Sequence, residues 1–327
     1  MKKLILILVL LLFSGAVVVQ ASDLVIESKT QTYNENENKL KFEGDVKVSV
    51  DDIKVYSDKA DVSMKKNRKL DTATFYEKPY AVEVQINKKR EVKANILKLS
   101  LITKVVKAQG DTQTTVFDGK TPVVVINADE QEYDTKTGVM IAQGNVTILY
   151  KDIETYSNYA KIVSEKDGEI KTMDLVGNAR LMQDGNESFA DRFEYNAKTQ
   201  AMVGIGNTTS NMIMESGEKL ILKANRQEYT QDKNVFNASG NCHVWYGNYY
   251  AVGPKIVVYP NSEGKPNEVY FVGRSSITEA FRTIYADKIK MILNPKDFQA
   301  EGNTRTVIQN VGSSDDSSEE SGMTLGF

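Results

Sequence analysis

The stretch Val139–Tyr150, VMIAQGNVTILY, decides the fold of this chain. Apolar residues occupy every second position on both sides of its Gly-Asn pair, and a period of two indicates a β-strand. Two similar stretches, KLKFEGDVKVSV (Lys39–Val50) and VFNASGNCHVWY (Val235–Tyr246), lie 100 residues before it and 96 residues after it. In all three, a Tyr precedes the Gly by 11 positions. The sequence therefore predicts an internal repeat.

Each repeat divides further into three units of about 33 residues. A Gly followed by Asn, Asp or Arg marks eight units, and Glu77 stands at the corresponding position of the ninth. The nine markers are Gly44, Glu77, Gly110, Gly144, Gly177, Gly206, Gly240, Gly273 and Gly302. Consecutive markers are 29 to 34 residues apart, and equivalent markers in successive repeats are 96 or 100 residues apart. We therefore expect a domain of residues 22–311, built from three repeats of about 97 residues near 22–121, 122–217 and 218–311.

The pattern of inward-facing residues continues across each marker. The positions four and two before the marker are apolar in every unit except at Gly204, and several units also have apolar residues two and four after it. A two-residue hairpin would reverse this parity, so we expect each strand to pass through its marker, with the Gly at a bulge or bend. Turns are expected elsewhere, for example at Asn34–Asn38 and Asp134–Gly138. The pattern predicts an all-β chain of antiparallel strands, stacked into an elongated structure with two walls.

Several polar residues share the inward parity. They are Thr112, Thr114, Thr208, Ser210, Thr304 and Thr306. They indicate an interior that is less apolar than a solid core, and a position near the rims of the walls is the alternative.

The two ends of the chain differ in composition from the rest. Lys2 and Lys3 precede the apolar run Leu4–Val19, and small residues follow. This pattern predicts a signal peptide of residues 1–21, cleaved after Ala21. An uncleaved membrane anchor is the alternative, although the run is short for a membrane-spanning helix. Residues 312–327 are rich in Ser and acidic residues, which predicts a disordered tail.

Composition argues against several classes of function. Without Lys2 and Lys3, 39 basic residues face 44 acidic ones, so the net charge is −5 and nucleic acid is not an expected partner. Cys242 is the single Cys, and the adjacent His243 would point to the opposite face of a strand, so no metal site is expected. The segment Val203–Asn207, VGIGN, lacks the third Gly of a dinucleotide loop. We predict no cofactor and no enzymatic activity.

Three segments carry a resemblance to a known family. They are LVIESKTQTYNENENKLKFEGDVKVSV (Leu24–Val50), FYEKPYAV (Phe75–Val82) and ADEQEYDTKTGVMIAQGNVTI (Ala128–Ile148). The opening alternating strand, the Tyr before the turn and the strand that ends in Gly-Asn-Val resemble the LptA or OstA-like family of periplasmic lipopolysaccharide-transport proteins. The resemblance extends over residues 23–309. The chain departs from the family in being about twice as long as a single bridge subunit and in its acidic tail.

The resemblance implies an elongated, open β-jelly-roll whose inner groove carries the lipid A acyl chains of lipopolysaccharide. Each buried CH₂ contributes about 0.8 kcal/mol, so a lipid with several acyl chains needs such shelter to cross water. The family's members abut end to end, which implies inner-membrane and outer-membrane transport components as partners through the end strands, and head-to-tail self-association. With the signal peptide, the implied location is the periplasm.

Groove-lining residues follow from the family's first strand and from the inward parity. They are Leu24, Ile26, Phe42, Val46, Val48, Val82, Val124, Ile126, Ala142, Val146, Ile148, Leu220, Leu222, Phe236, Val244 and Phe271. The alternative is that these residues fill a closed core.

Two other functions are compatible with the pattern. A closed core would make the chain a structural or adhesive β-solenoid surface protein. A carbohydrate-active β-solenoid enzyme would need carboxylates beside aromatic side chains. Trp245, Tyr249 and Tyr250 are adjacent in sequence but lack an evident acidic partner.

Overall fold

The computed structural model describes residues 24–85, 88–165, 169–214, 216–230, 233–263 and 265–309. These residues form 22 antiparallel strands and no helix, which confirms the predicted all-β class. The strands are β1 (Val25–Glu27), β2 (Thr30–Asn34), β3 (Lys39–Val50), β4 (Ile53–Met64), β5 (Leu70–Tyr76), β6 (Tyr80–Gln85), β7 (Lys88–Lys93), β8 (Ile96–Ser100), β9 (Val105–Asp118), β10 (Thr121–Asp134), β11 (Val139–Tyr150), β12 (Ile153–Ser164), β13 (Ile170–Gln183), β14 (Asn186–Asn196), β15 (Ala201–Ile213), β16 (Lys219–Thr230), β17 (Val235–Tyr246), β18 (Tyr249–Pro260), β19 (Pro266–Glu279), β20 (Arg282–Ile292), β21 (Asp297–Glu301) and β22 (Arg305–Ile308).

Two predicted segments, the signal peptide and the acidic tail, lie outside the described residues. Within the described part of the chain, no helix has the length and apolarity that crossing a membrane requires.

The strands form a single sheet that grows in one direction along the chain. From β9 to β20, each strand pairs with the next one in sequence. Near the N-terminus, two short strands together occupy the length of one long strand. For example, β1 and β2 both pair with β3. Because each strand pairs only with its neighbours along the chain, the structure is an elongated stack, as expected for repeats.

Seven of the eight marker glycines lie at bulges, as the parity predicts, and Gly302 lies between β21 and β22. In β11, both Gly144 and Asn145 have positive φ angles, of 73° and 47°. Between the pairs Gln143–Tyr159 and Val146–Ser157, β11 has two residues where β12 has one. The strand bends there, yet its inward residues keep the same parity on both sides of the bulge, and Ala142 and Val146 are both buried.

The unit without a marker glycine is interrupted. Glu77 and Lys78 both have positive φ angles, of 64° and 59°. Pro79 follows and has no N–H to donate to a neighbouring strand. The strand therefore ends at Tyr76 and resumes as β6 at Tyr80. The unit of Gly302 is divided in the same way, into β21 and β22, whereas the other seven units have one continuous strand across the marker.

The bulges divide the sheet into two walls. In β11, residues 139–143 belong to the first wall and residues 146–150 to the second wall, and the pairing of the other strands extends both walls along the chain. Inward side chains from both walls pack into three apolar clusters in chain order, from Phe42 to Ala108, from Val116 to Phe193, and from Met214 to Leu293. These clusters supply the main hydrophobic stabilisation of the fold.

Candidate functional site

A cavity of about 790 Å³ lies between the two walls, near the middle of the chain. The first wall contributes Met173, Phe193 and Met202, and the second wall contributes Leu181 and Met212. A volume of this size falls in the range of pockets that hold a sizeable organic ligand. The flexible thioether side chains of its Met residues can adapt to irregular apolar groups.

The mouth of the cavity is polar. Turn residues of the second wall, including Lys151 and Asp184, stand on one rim, and Gln200 of the first wall stands on the other. Burial raises the pKa of the hydroxyls of Tyr195 and Tyr229, which also line the cavity, so both remain protonated hydrogen-bonding groups near neutral pH. An apolar interior beneath a polar mouth suits an amphipathic ligand.

A buried hydrogen-bond network crosses the interior beside this cavity. Ser210 of the second wall donates to Oε1 of Gln227 in the first wall over 2.5 Å. The Gln227 amide donates in turn to the Leu222 carbonyl of the second wall over 3.0 Å. The Thr208 hydroxyl donates to the Ala224 carbonyl over 2.7 Å. We call this network the 210–227 crosslink.

An equivalent network joins the walls nearer the N-terminus. Thr114 donates to Oε1 of Gln131 over 2.5 Å, and the Gln131 amide donates to the Ile126 carbonyl over 3.1 Å. Thr112 donates to the Ala128 carbonyl over 2.7 Å. Four of the predicted inward polar residues, Thr112, Thr114, Thr208 and Ser210, are therefore buried inside the fold and not at its rims, and each of them makes a hydrogen bond there. Thr304 and Thr306, at the C-terminal end of the described chain, are exposed.

The predicted lining residues are distributed through the whole interior. Leu24 and Ile26 are half-buried at the N-terminal end, and Phe236 is half-buried beside the 790 Å³ cavity. Thirteen others were predicted. Of these, all except Val82 are buried within the three clusters, namely Phe42, Val46, Val48, Val124, Ile126, Ala142, Val146, Ile148, Leu220, Leu222, Val244 and Phe271.

Val82 is half-buried and has outward parity, although it is among the residues that line a small cavity of about 30 Å³ between the walls. It stands opposite exposed Lys54, whereas its neighbour Ala81 stands opposite buried Val55 and is itself buried. Ala81 is four residues after Glu77 and so has the even spacing of the other inward residues, while Val82 is five residues after it. The interruption of the strand at Glu77–Pro79 does not change the parity of the unit.

The sequence pattern did not identify the cavity residues Met173, Leu181, Met202 and Met212. They have inward parity like many other residues, and parity does not indicate where the walls leave space. The sequence feature that could have indicated the cavity is the small size of two inward residues that line it, Gly204 and Ser188.

Cys242 and His243 form no reactive site. Cys242 is fully buried, and burial raises the pKa of its thiol to about 11. His243 lies on the outer face, where its Nδ1 is 2.7 Å from the Tyr250 hydroxyl and its ring stacks on Trp245. Among the described residues, no group of His, Cys, Asp and Glu is arranged to hold a metal ion.

Comparison with known proteins identifies relatives of this chain. The family described as LptA/(LptD N-terminal domain) LPS transport protein matches residues 25–122 and 125–264. No curated protein matches the sequence. Among solved structures, the chain is similar to LptH of Pseudomonas aeruginosa, the LptA-homologous periplasmic component of a lipopolysaccharide-transport device, with 10% identity and a TM-score of 0.35. That match covers 39% of this chain and 95% of LptH.

Proposed function

Because the chain belongs to the family of LptA and the LptD N-terminal domain, whose members are lipopolysaccharide-transport proteins, we propose that it carries lipopolysaccharide with the acyl chains sheltered between its two walls. The 790 Å³ cavity is the observation that supports this role, because it combines an apolar interior with a polar mouth. The acyl chains would occupy the space between Met173, Met202 and Met212, and the charged headgroup would remain at the rims. The predicted lining residues of the neighbouring clusters would complete the path.

Photocrosslinking tests this role. A photoreactive amino acid in place of Met202, which lines the cavity, should crosslink to lipopolysaccharide in the envelope. The same amino acid in place of Val176, whose side chain is 37% exposed on the outer face, should not. Equal labelling from both positions would contradict the proposal.

The packing of the rest of the interior favours a second candidate, a structural or adhesive rod. Outside the cavity, the clusters bring inward side chains of both walls together, and side chains such as Ile148, Leu222 and Phe271 are fully buried. In the first role, lipid would have to separate these side chains where it passes. Mass spectrometry of lipids that copurify with the protein separates the candidates, because a rod with a closed core would carry none.

We also propose that the ends of the stack bind other chains of the same fold, including further copies of this one. In the described part of the chain, β1 and β2 pair only with β3, and β21 and β22 pair only with β20. Gln31 is equivalent to Gln131 by its place 13 residues before a marker, and Thr306 is equivalent to Thr114 by its place four residues after one. Both are exposed, so an end-to-end contact could repeat the internal bond between Thr114 and Gln131.

Disulfide trapping tests the end-to-end contact. A chain that carries both Gln31→Cys and Thr306→Cys should form a ladder of covalent oligomers under mild oxidation. A control with Leu149→Cys and Thr306→Cys should not, because Leu149 is exposed on the outer face in the middle of the chain. A monomer with the first pair would argue against this contact.

The location and chemistry of the role follow from the same reasoning. We propose that the chain works in the periplasm, after removal of a signal peptide of residues 1–21, within a domain of residues 22–311 followed by a tail of residues 312–327. It would act by binding and not by catalysis.

A further inference from the structure

Two cavities of the chain occupy equivalent places in successive repeats. A small cavity of about 30 Å³ lies at the crosslink of Thr114 and Gln131, and the 790 Å³ cavity lies at the 210–227 crosslink. Thr114, Gln131 and Tyr133 line the first, and Ser210, Gln227 and Tyr229, each 96 residues later, line the second. The two spaces are therefore the same site in two copies, although their volumes differ greatly.

The two cavities differ in several lining residues, and three of the differences lie on adjacent strands at one edge of the site. Glu83, Arg90 and Val92 line the small cavity. Counted from the markers, their equivalents at the large cavity are Gln183, Asn186 and Ser188. A long cation and a branched apolar side chain in the first site are thus replaced by two short polar side chains in the second. Arg90 fills space that Asn186 leaves open.

Arg90 bridges the two walls at the small cavity. Its Nη1 lies 2.8 Å from Oε2 of Glu83, and its guanidinium Cζ lies 3.9 Å from the centre of the Tyr133 ring on the opposite wall. In the third repeat, the Tyr229 hydroxyl donates to the Asn234 side chain over 2.9 Å. The position equivalent to Asn234 is Gly138, which has no side chain to accept such a bond.

The contacts of Arg90 are incomplete for a buried charge. The side chains of Arg90 and Glu83 are only 10% and 15% exposed, and the Arg90 Nε is buried without a hydrogen-bond partner among the described residues. The ion pair with Glu83 stabilises the buried guanidinium, but its unpaired Nε–H costs free energy in this position. The closed state of the small cavity is therefore held by contacts that can be exchanged for others.

We propose that the small cavity is a second acyl-chain compartment, closed by Arg90. This inference rests on the proposed function, because it takes the large cavity as an acyl-chain compartment. When Arg90 withdraws toward solvent, the space between Tyr133, Gln131 and Thr114 takes the shape that the large cavity already has. Its ligand is an apolar chain, and the displaced guanidinium can pair with an anionic group at the mouth.

An exchange of residues between the two sites tests the proposal. The variant Glu83→Gln/Arg90→Asn/Val92→Ser gives the first site the residues of the second, and Gln183→Glu/Asn186→Arg/Ser188→Val makes the reverse change. The number of binding sites per chain is measured by titration with the neutral fluorescent probe N-phenyl-1-naphthylamine. We expect one site in the unchanged protein, two in the first variant and none in the second.

The outcomes separate this inference from the proposed function. Site numbers that stay the same in both folded variants, while the unchanged protein binds lipopolysaccharide, would overturn the role of Arg90 alone. Failure of the unchanged protein to bind either the probe or lipopolysaccharide would overturn the proposed function. If the first variant does not fold, the reverse variant still decides, because loss of its single site without loss of the fold supports the proposal and an unchanged site contradicts it.

Discussion

At the scale of single residues, the marker glycines combine a left-handed backbone with close neighbours, so a side chain at these positions is both strained and crowded. The backbone at Gly144 is left-handed, and a Cβ there would lie 2.9 Å from the Asp129 Cβ on the adjacent strand. The Asn145 amide donates to the same Asp129 carboxylate over 3.0 Å. Comparable hydrogen bonds join Asn207 to Asp191 and Asn303 to Asp287. The residue after the marker glycine thus forms a hydrogen bond to the adjacent strand in several units.

We predict that Gly144→Ala destabilises the fold more than Gly119→Ala. Both glycines have positive φ angles, of 73° and 59°, so each substitution should cost about 1–2 kcal/mol from the left-handed backbone. A Cβ at Gly119 would have nothing within 4 Å, whereas one at Gly144 would overlap Asp129. Urea unfolding of the two variants measures the difference. Equal losses would mean that the strands at the bulge separate freely enough to accept a methyl group.

We predict that the Cys242 thiol does not react in the folded protein. Burial raises its pKa to about 11, so only a small fraction is thiolate at pH 8, and the side chain is fully buried. Ellman's reagent should modify Cys242 at a normal rate in denaturant and only slowly without it. Rapid modification of the native protein would show that the walls open around this strand.

At the scale of elements, the side chains of Gln131 and Gln227 join the two walls by hydrogen bonds. Each wall is built from one half of every long strand. Gln131 and Gln227 each lie 13 residues before a marker, as does Gln31. Gln131 and Gln227 are buried because β9 and β15 place Thr114 and Ser210 within hydrogen-bonding distance. Gln31 is exposed because β2 pairs only with β3 in the described chain.

We predict that Gln227→Ala lowers the free energy of unfolding by about 1–3 kcal/mol, because it removes the acceptor Oε1 of the buried Ser210 hydroxyl and the donor to the Leu222 carbonyl. Ser210 would keep only the Ser188 hydroxyl, 2.8 Å away, as a partner. The control Gln31→Ala removes the same side chain from an exposed place and should change stability by about 0.5 kcal/mol or less. Denaturant unfolding compares the two. A double-mutant cycle with Ser210→Ala should show coupling, and additive effects would exclude the 210–227 crosslink as a source of stability.

The period of two and the recurring glycines were enough to predict the strands, the bulges and the inward parity, because these depend on local sequence. The burial of Gln227 could not be predicted in this way, because its partner Ser210 comes from the opposite wall. The cavity was missed for a similar reason. The cavity is lined by residues from both walls, such as Met173 and Met212, and the sequence pattern does not show where the walls leave space between them.

At the scale of the whole molecule, the chain is a linear array. Each strand pairs only with its neighbours in the sheet, and the interior consists of three clusters with hydrogen-bonded crosslinks beside them. In such an array, stability is the sum of local terms and contacts between neighbours. One part of the interior can therefore open to accept a ligand while the rest stays closed, which a single compact core would not allow.

The array also predicts that damage stays local. Phe271 is fully buried in the third cluster and Phe42 is buried in the first, and replacing either by Ala should cost about 3–5 kcal/mol. Hydrogen exchange followed by mass spectrometry should show faster exchange in β17–β20 for Phe271→Ala, with β3–β5 unchanged. Phe42→Ala should give the reverse pattern. Faster exchange along the entire chain in both variants would show instead that the three clusters unfold as one unit, and the small cavity could then not open by itself.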